Sequence, residues 1–292
     1  MKGRTAAVIV SYQSGEQLLA CVESFLADGC ESVVVVDNAS TDSAIETVVS
    51  KHPEVACLAL KRNVGYGAAA NRGAAATNAE ILFVANADVV VHPGALASLQ
   101  EALDSQPDWA IAGPKILRPD GSVYPSARTF PSLVDSIGHG FLGLFLPSNP
   151  WTRRYTLAGW DHSRPAEVDW VSGAFFAVRK LAWDSLGGFD EKYFLYGEDV
   201  DLCFRAWQQC WRVGYVPTAT ATHFQGASAE KRPWLALFHH HRSLWLYACL
   251  TMKGPRKLLL PLVAAGLVAR GSLVATVRMA SVAGRASSGS RV

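Results

Sequence analysis

The chain has 292 residues, of which 50% are hydrophobic and 18% charged, with a formal net charge of +2. That length holds one large domain, or a domain with an appendage, and a core big enough to need no cross-links. The composition excludes a collagen, a coiled coil and a disordered chain. Six cysteines (Cys21, Cys30, Cys57, Cys203, Cys210, Cys249) lie far apart without a CxxC pair. They are expected to be free thiols of a reducing compartment, not zinc ligands. A strand pattern begins within a few residues of Met1, so a secretion signal is not expected.

The small net charge hides a division. Residues 1–230 carry 17 basic and 25 acidic side chains, whereas residues 231–292 carry ten Lys or Arg, three His and no carboxylate. A chain split into about −8 and +10 points to an anionic partner for its tail, either a membrane surface or a nucleic acid.

Strand and helix patterns alternate through the first 117 residues. TAAVIVSY (5–12) is a Val/Ile-rich strand, and Leu18, Leu19, Val22, Phe25 and Leu26 give helical spacing over 15–28. SVVVVDNAS (32–40) is a buried strand, with Ile45, Val48 and Val49 marking the next helix. VACLAL (55–60) precedes a Gly/Ala-rich helix over 65–78. EILFVANAD (80–88) precedes a helix with Leu96, Leu99 and Leu103, and WAIAGPKIL (109–117) is a fifth strand. Continuous apolar strands between helices predict an α/β fold with a mostly parallel central sheet covered on both faces.

The order then weakens. Asp120-Gly121 marks a hairpin turn, and residues 125–165 hold Pro, Gly and aromatics without periodicity, as a substrate-enclosing loop would. A strand is expected over 168–178, a short helix over 180–186, a helix over 197–211 and a strand over 211–217. Residues 233–250 read as a helix that is apolar on most sides. LLLPLVAAGLVA (258–269) offers 12 uncharged residues before Arg270, short of the ~20 needed to span a bilayer. Arg270, Arg278 and Arg285 recur near one helical face, which predicts an amphipathic helix lying on an anionic membrane surface. The competing use of the tail is packing on the domain or on a second copy, giving a homo-oligomer through the C-terminal helices.

In an open parallel sheet the ligand lies beyond the carboxyl ends of the strands. Those ends deliver Ser11, Asp37, Asn38, Asn63, Asn86 and Asp88 to one edge. Asp37 can accept from a base or ribose, although Asp37, Ser40 and Asp42 also suit a turn that caps the next helix. Asp88 follows a buried strand and precedes Val89-Val90-Val91, a placement solubility does not explain. Such a carboxylate suits Mg²⁺, which takes one or two protein oxygens and completes its shell with phosphates and water. Glu198, Asp199 and Asp201 open a helix, where the dipole favours them and Asp201 can pair with Arg205. A carboxylate there facing a cleft can instead act as general base on an alcohol. His223 follows the next strand. GYGAAA (65–70) matches a dinucleotide fingerprint, but it follows the third strand and not the first, which argues against a nicotinamide site.

Six segments in order resemble the inverting family-2 glycosyltransferases of GT-A fold: 8–25, VVVVDNASTD (33–42), KRNVGYGAAANRG (61–73), FVANADV (83–89), VSGAFFAVRK (171–180) and GGFDEKYFLYGEDVDLCFRA (187–206). Within that family the likeness is to cell-wall rhamnosyltransferases acting on polyprenyl-diphospho-N-acetylglucosamine. The resemblance implies a Rossmann-like catalytic domain over 1–230, with a nucleotide-binding half (1–117) and an acceptor-binding half (118–230), and a basic helical tail over 231–292. It implies that Ser11, Asp37, Asn63, Gly65 and Asn86 attend the nucleotide and that Asp199 is the catalytic base. Asp88 and His223 would hold Mg²⁺ or Mn²⁺, with Asn86 in place of the first carboxylate of a DxD motif. Trp170, Ser172, Gly173 and Glu198 are placed near the sugars. The expected donor is dTDP-L-rhamnose, the acceptor a polyprenyl-diphosphate-linked sugar, and the location the cytoplasmic membrane face. Nucleic acid is not expected, because the tail lacks any nucleic-acid module and its apolar content suits lipid. Another nucleotide sugar, or a non-catalytic sugar-nucleotide binder, are the readings left beside it.

Overall fold

A computed structural model describes residues 4–132, 135–136, 138–143, 145–224 and 233–289, without the side chains of Arg278 and of 280–289. Four parallel strands form its base: β1 (Thr5–Ser11), β2 (Val33–Asp37), β3 (Ala56–Ala59) and β4 (Ile81–Asn86). β1 sits between β2 and β4, with Ser11 level with Asp37 and Val10 level with Asn86, so their polar ends share one edge. Alternate side chains enter opposite cores, Ala7 and Ile9 on one face of the sheet and Ala6 and Val10 on the other. This two-sided burial is why the strands read as unbroken apolar runs.

The connecting helices cover those faces. α1 (Gln17–Ala27) buries Leu18, Cys21, Val22 and Phe25 at helical spacing. α2 is Ala44–Lys51, α3 is Tyr66–Ala75 with its small residues buried on the sheet, and α4 is Ala95–Ser105.

Beyond β4 the sheet becomes mixed. Its order is β3-β2-β1-β4-β11-β6-β12-β5. β6 (Trp109–Leu117) does not pair with β4. β11 (Phe175–Arg179) lies antiparallel between them. The single strand expected over 168–178 is therefore two. β10 (Trp170–Val171) leaves the main sheet to pair with β8 (Ala127–Arg128), and the chain turns at 172–174 before β11. The strand expected to stop at Pro217 runs on as β12 (Arg212–His223), since a register shift between Val216 and Thr220 absorbs the proline. The strand expected over 80–88 ends at Asn86, and a turn leads into β5 (Val89–Val91), which pairs with β12 so that Val89 faces His223. Short pieces complete this part. They are β7 (Val123–Tyr124), β9 (Ala166–Glu167), α5 (Pro150–Tyr155), α6 (Lys180–Leu186) and α7 (Glu198–Gln208).

α8 (Pro233–Thr251) buries Ser243 and Tyr247 against the domain, with the Ser243 hydroxyl donating to Leu195 O (3.1 Å). A 3₁₀ turn leads to α9 (Leu260–Gly289). The stretch Gly254–Val277 is 24 residues long and, by length and composition, apolar enough to cross a membrane. The count of 12 stopped at Arg270, but that guanidinium turns inward. It donates to Gly140 O (2.8 Å) and to His241 Nε2 (3.1 Å). Arg270 thus ties α9 to the domain instead of opening a basic stripe, while Leu258, Leu262 and Val268 are 82, 69 and 70% exposed. The Arg278 and Arg285 side chains of the expected stripe lie outside the described residues.

Candidate active site

A cavity of about 870 Å³ opens at the carboxyl edge of β1–β4. The strand ends form one wall, and β8, β10, the start of α7 and α8 form the other. The boundary expected at 230/231 therefore precedes a helix that lines the cavity through Leu235, His239, His240 and Tyr247.

On the first wall the Asn38 amide organises the loop before α3. Its Nδ2 donates to Asn63 Oδ1 (3.0 Å) and Gly65 O (3.2 Å), while its Oδ1 accepts from Val64 N (2.9 Å). Asn63 Oδ1 also accepts from Gly65 N (2.9 Å). Gly65 has φ +92°, and a Cβ there would lie 2.6 Å from Phe194 O, so only glycine fits. Asn63, Gly65 and Asn86 line the cavity. Ser11 and Asp37 do not: Asp37 turns both carboxylate oxygens to Ser40 N (3.2 and 3.3 Å), the turn role, and the Ser11 hydroxyl meets Ser14. The wall residue beside them is Asn38.

The pairing of β5 with β12 brings Asp88 and His223 together. Asp88 Oδ1 lies 3.0 Å from His223 Nε2, and Asn86 Nδ2 lies 3.3 Å from the same nitrogen. His223 is buried and its Nδ1 has no partner among the described residues. No group of three or more His, Cys, Asp or Glu side chains is gathered for a metal among the described residues. One carboxylate and one imidazole on a cavity wall nevertheless fit a divalent cation whose remaining positions are taken by diphosphate and water.

α7 begins after Gly197 with the two adjacent carboxylates. Asp199 Oδ2 accepts from Gly173 N (2.8 Å), and Oδ1 accepts from Val200 N (2.9 Å). Burial raises the Asp199 pKa, while those two N–H groups and the charge of Arg128 hold the rise in check. Glu198 is less well served: its Oε2 is buried without a partner among the described residues, and burial, then the charge of Asp199, push its pKa up to about 8. The pair is therefore asymmetric: burial favours the protonated form of Glu198, while two N–H donors favour the charged form of Asp199. Tyr66 braces the peptide that meets Asp199. Its hydroxyl donates to Gly173 O (2.8 Å), and burial, then Glu198 and Asp199, keep the phenol protonated. A Cβ on Gly173 would press within 3.0 Å of the Asp199 Cβ.

Ser172 and Trp170 lie on the second wall, with Trp170 Nε1 donating to Thr129 O (2.9 Å). Over that indole sits Arg128, its guanidinium carbon 5.1 Å from the Trp170 ring, 5.4 Å from that of Tyr124 and 5.5 Å from that of Tyr155. Sequence reasoning passed over Arg128, Tyr124 and Tyr155 because they come from a stretch without periodicity. It passed over Tyr66 because the residue stands inside a Gly/Ala-rich run.

The glycosyltransferase-like family 2 model matches residues 3–247. The chain belongs to that family. It is 40% identical over 256 residues, 82% of each chain, to the N-acetylglucosaminyl-diphospho-decaprenol L-rhamnosyltransferase of Mycobacterium tuberculosis. It is 25% identical to a low-salt glycan biosynthesis hexosyltransferase of Haloferax volcanii, covering 75% of this chain and 66% of that one. Among solved structures, S. aureus TarS (residues 1–349) superposes with a TM-score of 0.57 at 15% identity, over 92% of this chain and 71% of that one. GalNAc-T7, crystallised with UDP, GalNAc and Mn²⁺, gives the same TM-score at 18% identity, over 77% of this chain and 44% of that one. The family and the fold expected from the six segments are thus borne out. This glycosyltransferase carries an α/β sheet of GT-A type with C-terminal helices, and the mixed strands complete it.

Proposed function

We propose that this glycosyltransferase moves L-rhamnose from dTDP-L-rhamnose to a polyprenyl-diphospho-N-acetylglucosamine at the cytoplasmic membrane face, in cell-wall linker synthesis. The observation that carries this reading is the 40% identity to the mycobacterial rhamnosyltransferase over 82% of both chains. Asn38, Asn63, Gly65 and Asn86 attend the nucleotide side, and Trp170, Ser172, Gly173 and Glu198 the sugars. Asp199 takes the proton of the acceptor hydroxyl as that oxygen attacks the anomeric carbon opposite the leaving diphosphate. One displacement inverts the configuration. Asp88 and His223 would hold Mg²⁺ or Mn²⁺, which supplies charge stabilisation to the departing diphosphate.

The rim supports a lipid acceptor. Leu235 lines the cavity and is 43% exposed, and Trp234 and Phe238 on the same helix end are 51 and 61% exposed. Because Arg270 binds α9 to Gly140, the helix is read as lying on the membrane with the domain, not crossing it.

The test is purified protein with dTDP-L-rhamnose, Mg²⁺ and membranes containing polyprenyl-diphospho-N-acetylglucosamine, assayed for labelled lipid. Transfer should occur, stop with EDTA, and fall by about 10²–10⁴-fold in Asp199→Asn. Turnover of another sugar nucleotide alone would discard rhamnose. Full activity in Asp199→Asn would discard the base.

A further inference from the structure

We propose that Arg128, boxed by Tyr124, Tyr155 and Trp170, is the cation that receives the diphosphate of the acceptor beside Asp199. The inference rests on the lipid-diphosphate acceptor proposed above and assigns the group that recognises it.

Arg128 differs from the charge-paired arginines of this half. Arg205 pairs with Asp201 at 2.7 Å and Arg154 with Asp135 at 3.3 Å, but no ion pair of Arg128 occurs among the described residues. Its guanidinium is nonetheless drawn into the domain. Burial works against its charge, and Tyr124, Tyr155 and the more distant Asp199 more than offset this, so the net shift of its pKa is upward and the cation persists. Taking a guanidinium out of water without a carboxylate is costly, and three aromatic faces return only part of that cost. A structural arginine would be expected to carry a counter-ion. One that lines a cavity without it is prepared for a counter-ion that arrives with the substrate.

The geometry of the fork agrees. Nε donates to Pro125 O (2.8 Å) and Nη2 to Tyr124 Oη (2.8 Å), which fixes the plane of the group. Part of the five-donor fork is left for a ligand, in the arrangement that binds phosphate oxygens two at a time. β8 holds Arg128 level with Trp170 of β10, and β10 leads directly to the Gly173 N–H that holds Asp199. The cation and the base are therefore positioned by one short antiparallel strand pair, as needed if both address the same acceptor molecule. Asp88 and His223 stand on the opposite wall, so the two diphosphates of the reaction would be met by different groups.

The experiment compares two acceptors with one donor: a short prenyl-diphospho-N-acetylglucosamine and an uncharged alkyl N-acetylglucosaminide. The wild type should prefer the diphosphate acceptor in kcat/KM. Arg128→Met should lose about 30-fold or more of the kcat/KM preference for the diphosphate acceptor over the uncharged one, and leave donor KM unchanged. Arg128→Lys keeps a charge but loses the planar fork, so it should recover part of the preference, and it supplies the comparison should the Met variant not fold. Equal losses on both acceptors, or an unchanged preference in both variants, would overturn the assignment. Absence of transfer by the wild type to either acceptor would instead fail the function on which it rests.

Discussion

The two walls of the cavity are built in opposite ways. The strand-end wall comes largely from consecutive strand ends within residues 5–88: Asn38 fastens the 63–65 loop through three hydrogen bonds, Gly65 lets Phe194 O approach, and Asp88 meets His223. The opposite wall gathers Arg128, Tyr155, Trp170, Asp199 and His239 from segments far apart in the chain, held by aromatic faces and buried charge. The first wall is a consequence of local sequence. The second exists only once β10 has left the main sheet, so it depends on long-range pairing.

Substitutions separate the walls. One substitution strains the local one directly. In Gly65→Ala, a Cβ 2.6 Å from Phe194 O at φ +92° adds strain of about 1–3 kcal/mol. Donor KM should rise by about tenfold or more while acceptor KM stays put, and steady-state kinetics with each substrate varied would check this. If acceptor KM rose instead, the assignment of walls would be reversed.

Tyr66→Phe probes the joint between them. Losing one hydrogen bond to Gly173 O is worth about 1 kcal/mol, so kcat should fall about fivefold with little change in either KM. The looser Gly173 N–H should let the Asp199 pKa climb further, moving the acidic limb of the kcat–pH profile to higher pH. A fall in kcat without movement of the limb would make Tyr66 a packing residue only.

A further effect concerns stability. Glu198 has its pKa raised from an ordinary 4.5 to about 8, so the wild type loses stability as pH rises across that interval. Glu198→Gln cannot ionise. Its Tm advantage over the wild type should grow from pH 4.5 to 8, and a constant difference would contradict the buried, protonated carboxyl.

The same contrast explains what the sequence disclosed. Strands such as VVVV at 33–36 and the Leu18–Val22–Phe25 face of α1 announce themselves through periodicity, so the α/β half and the carboxyl-edge location of Asn63, Asn86 and Asp88 were legible. The insertion of β11 between β4 and β6 was not, because strand order is a property of pairing and not of local pattern. Asp37 shows the limit of edge reasoning: the strand end was right, but its carboxylate folds back on Ser40 N and the neighbouring Asn38 faces the cavity. Arg128 left no local signal, since its three aromatic neighbours lie at 124, 155 and 170. Arg270 looked like part of a surface stripe, and only the position of Gly140 and His241 shows that it faces inward.

The most direct test of the account is the configuration of the new glycosidic bond, read by NMR of the product formed on a prenyl-diphospho-N-acetylglucosamine acceptor. A single displacement with Asp199 as base predicts that every transferred sugar has the anomeric configuration opposite to that in the donor. Retained configuration would require a second displacement or a front-face mechanism, and would contradict the role given to Asp199.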